Sequence, residues 1–163
     1  MRRSLSLVAL VLTAVLAAAP AFGQSPSLEG QMEALKIVLD ENNREIAVSA
    51  EKVYPSDVLE YRLVYSNSGN AAASGINLTG PIPEGTVYLD ETATAAKGMH
   101  PVFSIDGGES YMEAPVTYVV VNEDGEEEVK GATPDMITHV RWRVDTVLDV
   151  GQELVVSYRV QVR

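Results

Sequence analysis

Hydrophobic and polar positions alternate along this chain with a period of two wherever a clear pattern exists. Leu59, Tyr61, Leu63 and Tyr65 share one parity; Glu60, Arg62 and Ser66 share the other, with Val64 the one apolar exception. Side chains on a strand point to opposite faces in turn, so this reads as a strand with one face on a core and one in water. Val140, Trp142 and Val144 alternate with His139, Arg141 and Arg143. Leu154, Val156, Tyr158, Val160 and Val162 make the cleanest alternation, ending at Arg163. Shorter runs set Leu35, Ile37 and Leu39 against Lys36, Val38 and Asp40, and Ile46, Val48 and Ala50 against Ala47, Ser49 and Glu51. Ile76 with Leu78, and Val116 with Tyr118 and Val120, begin two more. Residues 32–39 also admit a short helix.

Turn chemistry divides these runs. Residues 40–44, Asp-Glu-Asn-Asn-Arg, are a turn cluster. Asn67-Ser68-Gly69-Asn70 supplies residues that tolerate a left-handed backbone. Pro81 and Pro83 cannot donate to a ladder, so residues 80–85 read as a corner. Asp124-Gly125 is a two-residue hairpin signal with residues 126–130 returning, and Gly151 marks a last turn. The expected fold is all-β: a single antiparallel β-sandwich of about seven to nine strands over residues 35–163. Residues 24–34, polar and Ser/Pro-bearing, are expected to form a flexible leader.

The stretch from Asp57 to Leu89 resembles a bacterial conserved-repeat domain, the domain of unknown function number eleven. Its pattern has a Tyr in a strand, an Asn-x-Gly turn and an Asp-x-Leu-Pro-x-Gly corner; Tyr61, Asn67, Gly69, Ile82, Pro83 and Gly85 fit it here. Gly80 stands where the family usually has Asp, and Tyr54-Pro55-Ser56-Asp57 replaces the usual Pro-Gly-Asp. The resemblance covers most of the chain from about Leu35 onward. It implies an immunoglobulin-like sandwich on a surface or secreted protein. Its motifs are structural, and a scaffold alone does not fix a function.

The N-terminus adds a compartment. Arg2 and Arg3 precede an apolar run over residues 5–19, then Ala21-Phe22-Gly23. This is the layout of a secretory signal peptide, residues 1–23, with cleavage after Gly23 or alternatively after Ala21. The run is shorter than the roughly 20 residues of a spanning helix. No Cys occurs, so no lipoprotein anchor, disulfide or thiolate chemistry is expected. Cleavage removes two cations and no acid, taking the net charge from −11 to −13. That balance disfavours nucleic acid and anionic lipid as partners. With no sorting signal or spanning segment after the last strand, the mature protein is expected in the periplasm or outside the cell, soluble or held by a partner.

Candidate chemistry is sparse. Ser104-Ile105-Asp106-Gly107-Gly108-Glu109-Ser110-Tyr111 is close to the Asp-box, a hairpin signature in which the Asp caps backbone amides. The acidic run of Glu123, Asp124, Glu126, Glu127 and Glu128 lacks the register of a calcium loop and reads as a solvated hairpin tip. His100 and His139, the only histidines, read as surface residues and not as zinc ligands. Trp142 reads as a core aromatic. No catalytic, metal-ligating or cofactor-binding residue is assigned. The leading expectation is a non-catalytic structural or protein-interaction module of the cell envelope. The alternative is a glycan-, small-ligand- or calcium-binding domain using the irregular residues 92–114. Expression of the full chain in a secreting bacterium should yield a product beginning at Gln24, read by intact mass; uncleaved protein held in the membrane would refute the signal-peptide reading.

Overall fold

The computed structural model describes residues 23–94 and 96–163. The expected signal peptide lies outside them, apart from Gly23. The described residues form ten strands and a single 3₁₀ turn, Pro134–Met136. The strands are β1 (Leu28–Leu39), β2 (Glu45–Ser49), β3 (Val58–Asn67), β4 (Ile76–Pro81), β5 (Thr86–Tyr88), β6 (Met99–Ser104), β7 (Thr117–Val121), β8 (Glu127–Gly131), β9 (His139–Val144) and β10 (Glu153–Val162). A five-stranded sheet has the order β2-β1-β3-β10-β5, and a three-stranded sheet the order β4-β9-β6. All pairings are antiparallel, and β7–β8 stands apart as a hairpin. The fold is the all-β sandwich that the alternation predicts. It has more strands than expected because short β5 completes the large sheet and β6 forms within the segment read as irregular.

The inward parities of β3, β9 and β10 meet as the alternation requires. Leu59 and Leu63 of β3, Val140, Trp142 and Val144 of β9, and Val156, Tyr158 and Val160 of β10 are all buried in one cluster. Trp142, Tyr158 and Tyr61 run as a chain of rings through it, with centroids 6.1 and 5.5 Å apart. Burial of such large apolar surfaces dominates the stability of a domain this size. The Trp142 Nε1–H donates to the Thr94 carbonyl at 2.7 Å, and the Tyr158 hydroxyl donates to the Pro81 carbonyl. Burial, and secondarily the nearby Tyr61, push the Tyr158 hydroxyl above the ordinary tyrosine range. The Tyr158 ring lies on Gly80, where an added Cβ would come within 2.6 Å of it. Gly80 therefore stands in β4 for lack of room. Pro81 also belongs to β4, so the corner starts at Ile82; an edge strand tolerates Pro at its end.

The Asn67-x-Gly69 motif works differently from a left-handed turn, since neither residue has a positive φ. Asn67 is fully buried, and its side chain joins three segments. Its Oδ1 accepts from the N–H of Ser27 at 3.2 Å and of Gly69 at 3.1 Å. Its Nδ2 donates to the carbonyls of Ala71 at 2.8 Å and Leu148 at 3.0 Å. Gly69 is required by close approach: a Cβ there would sit 2.4 Å from the Ser27 nitrogen.

The leader expectation needs correction. β1 starts at Leu28, and residues 28–34 pair with β3 from Leu28↔Asn67 to Ala34↔Tyr61. The helix option for residues 32–39 is replaced by the same strand. These residues escaped the pattern because their polar and small side chains are not buried by a second layer. The register also sends the two halves of the β1–β2 hairpin to opposite faces. Lys36 pairs with Leu59 and with Val48, so Ile46 and Val48 share the inward face. Leu35, Ile37 and Leu39 share the outward face with Glu60 and Val58. A one-residue offset inverts every side chain of a strand, and here the tight Asp40–Arg44 turn sets it.

Replacing Asn67 by Ala should lower the unfolding free energy by about 3 kcal/mol, because a fully buried amide that bonds two N–H and two carbonyl groups is lost and only the Leu148 carbonyl keeps a second partner, the Ala73 N–H. Asn70→Ala, which removes one exposed bond to the Ser25 amide, should cost less than about 1 kcal/mol. Urea unfolding of both variants checks the contrast; equal effects would remove Asn67 from its joining role.

Candidate functional site

Two features of the surface offer binding, and both follow from laying three strands over five. The first is the β1–β2 overhang. Sheet β4-β9-β6 covers β3 and β10 but not β2 and the first half of β1. Leu28, Met32, Ile46 and Val48 of the inward parity are consequently exposed. β2 is also an open sheet edge. The Asp40 N–H donates to the Arg44 carbonyl. By the alternation of an antiparallel ladder, Ile46 and Val48 then face β1 while Ala47 presents its N–H and C=O outward. Lys36 bridges the overhang to the following loop, paired with the Asp57 carboxylate at 2.6 Å and lying 5.5 Å from the Tyr54 ring centre. The Lys36 bond, chiefly, holds the Asp57 carboxyl below the ordinary carboxylate range. On the outer face Arg159 reaches Glu60 of β3 and Glu45 of β2, tying the hairpin across the sheet.

The second is a cleft of about 750 Å³ at the opposite side, where β5 and β6 end their sheets. Tyr88, Phe103, Val116 and Ile137 are its buried floor, and Pro101, Pro115 and Pro134 stand in its walls. The Tyr88 and Phe103 rings sit 5.4 Å apart, tilted. Asp90, Glu91 and Glu113 stand at its rim. Glu113 pairs with Arg143 at 2.6 Å, and rim His100 pairs with Asp145 at 2.9 Å. Burial pushes the Tyr88 hydroxyl above the ordinary tyrosine range, partly offset by the Ala93 N–H that it accepts at 3.3 Å.

The segment singled out in the sequence, residues 92–114, contributes only part of this cleft: Ala93, His100, Pro101, Phe103, Glu113 and Ala114. It is also less irregular than expected, since β6 runs through it. The remaining wall comes from residues 88–91, 115–116 and 131–137. The recurrence of Pro beside strand ends was the available signal, and it has no meaning until those ends meet.

The other candidates resolve into structure. Asp106 accepts from the Ser104 hydroxyl at 2.7 Å and from the Ser110 N–H at 3.0 Å and hydroxyl. Ser104 Oγ in turn accepts from the N–H of Gly108 at 2.8 Å. The Asp-box residues thus close a tight turn between β6 and the Phe103–Met112 bridge. The acidic segment forms the β7–β8 tip. Asn122 Oδ1 accepts from the N–H of Asp124 and Glu126, and Gly125 has φ +83°. This is a longer turn than the two-residue hairpin expected, because Asn122 caps it from within. Glu127 pairs with Val121 and Glu128 with Val120, so their carboxylates diverge to opposite faces. His100 and His139 lie at opposite ends of the β6–β9 ladder. Trp142 is fully buried. Among the described residues no three metal-type side chains cluster, and no helix is long and apolar enough to cross a membrane.

The chain matches no family model, no curated protein and no solved structure.

The Ser104 and Ser110 hydroxyls, with the Ser110 N–H, hold the Asp106 carboxyl far below the ordinary carboxylate range. A depressed folded-state value stabilises the fold above the unfolded carboxylate range and loses that effect as pH falls through the folded value. Asp106→Asn should therefore melt below the parent at neutral pH, with the gap closing under strongly acid conditions. A pH series of melting temperatures checks this; a constant gap would refute it.

Proposed function

We propose that this chain is an exported, non-catalytic protein-interaction module of the bacterial cell envelope, of the conserved-repeat kind that it resembles. It leaves through a cleaved signal peptide and works in the periplasm or outside the cell, without a cofactor. The observation that carries this reading is the open β2 edge, backed by an uncovered apolar face. A free edge of this kind accepts an extended segment of a partner as one more strand. Main-chain bonds supply affinity, and Leu28, Met32, Ile46 and Val48 supply a surface for alternate partner side chains. Such edges are usually blunted by inward charge or Pro; β2, Glu-Ile-Ala-Val-Ser, carries neither in its middle.

Ala47 gives a selective test. Pro at this position removes an outward donor and leaves both Ile46 and Val48 bonded to β1. The parent should capture an envelope partner at near-stoichiometric yield on crosslinking, and Ala47→Pro should abolish that capture while keeping the melting temperature within a few degrees. Equal capture by parent and variant would overturn strand addition at β2.

A further inference from the structure

The cleft between β5 and β6 is distant from the β2 edge along the sheet order and calls for its own account. Its volume, about 750 Å³, falls in the range of roughly 300–1,000 Å³ typical of small-molecule sites. Its floor is aromatic and aliphatic. Its unpaired charge is one-sided, since rim His100 is already paired with Asp145. Asp90 and Glu91 at the rim are exposed and have no cationic partner among the described residues. The three prolines of the wall bring carbonyls without N–H groups.

The exposed edge of β6 adds to this bias. Phe103 exchanges both of its backbone bonds with Met112, away from β9. Pro101 has the same parity, so its carbonyl faces the free edge and no N–H accompanies it. The edge of β6 in the cleft is thus closed to strand addition and offers the Pro101 carbonyl with no N–H beside it. An acceptor-lined cleft with carboxylates at its mouth repels anions and leaves a neutral ligand little to choose. It favours a ligand that brings donors and positive charge.

We propose that this cleft binds a small organic cation, with a flat apolar body on Tyr88, Phe103 and Ile137 and a protonated amine at Asp90 and Glu91.

Tryptamine, tryptophol and indoleacetate share one aromatic body and differ in charge, so they separate the contributions. Calorimetric titration of the mature protein should show saturable one-to-one binding of tryptamine, weaker binding of tryptophol by about tenfold, and none of indoleacetate at millimolar concentration. Melting temperature should rise with tryptamine in step. Asp90→Asn with Glu91→Gln should weaken tryptamine about tenfold and leave tryptophol unchanged, because two partly screened charge contacts are lost. Neither residue is in an ion pair among the described residues, so this double variant should fold as the parent does. Thr133→Trp, which fills the mouth, should reduce all binding. Equal affinity for tryptamine and tryptophol, tryptamine binding indifferent to the double variant, or no binding of any probe would each overturn the proposal. So would binding of the end-blocked dipeptide tryptophanyl-lysine amide in the absence of tryptamine binding, which would assign the cleft to a peptide. None of these outcomes depends on the β2 edge, and Ala47→Pro should leave tryptamine binding intact.

Discussion

The buried amide of Asn67 holds the architecture together. Four backbone groups from three separate segments end on this fully buried side chain, and the Leu148 carbonyl among them also accepts the Ala73 N–H. It brings Ser27 against the end of β3, and so fixes where β1 begins. It anchors the Leu148 carbonyl, and so fixes the turn between β9 and β10 that carries the chain from one sheet to the other. An unpaired buried polar group costs far more than a single bond contributes, so this side chain selects one arrangement of the ends over all others. Hydrophobic burial makes the domain compact; Asn67 decides how its N-terminal strand is attached.

That attachment explains the uneven sandwich. Because β1 is pinned at Ser27 and runs the length of β3, the large sheet extends two strands beyond what three strands can cover. The uncovered flank becomes an apolar face with a free edge. At the other flank, short β5 and Pro-bearing β6 end their sheets around a cleft whose floor is buried core residues. The two candidate binding regions are opposite ends of one mismatch in sheet width. The two ends differ in chemistry: β2 offers donors and acceptors of an unbroken backbone, while the edge of β6 is bridged by Met112 at Phe103 and leaves the Pro101 carbonyl with no N–H beside it.

The Asp106 turn and the β7–β8 tip show how polar motifs serve the scaffold. Each uses a short side chain to accept from amides two to four residues on, the local bonding that Asp, Asn and Ser favour. The carboxylate of Asp106 is fully engaged within its own turn, and those of Glu127 and Glu128 are pulled apart by the pleat. Proximity in sequence gave these groups a chemical look that the backbone geometry removes.

The sequence by itself determined the fold class and the inward faces of β3, β9 and β10, because a period of two is a local property and survives without knowledge of the partner strand. It placed the turns at residues 40–44, 122–126 and 151, since Gly, Asn and Asp act through their own backbone preferences, but not the connections before β3, β6 and β9. It marked Trp142 as core. The tertiary structure alone decided the register of the β1–β2 hairpin, and with it which apolar parity faces the second sheet. Residues 28–34 became a strand only because β3 and Asn67 receive them, and nothing in their own pattern requires it. The same holds for the cleft, whose floor combines Tyr88, Phe103, Val116 and Ile137 from four separated segments. Alternation states which side a residue occupies within its strand. It is silent on how wide each sheet becomes, and width is what leaves an edge open and a cleft unfilled.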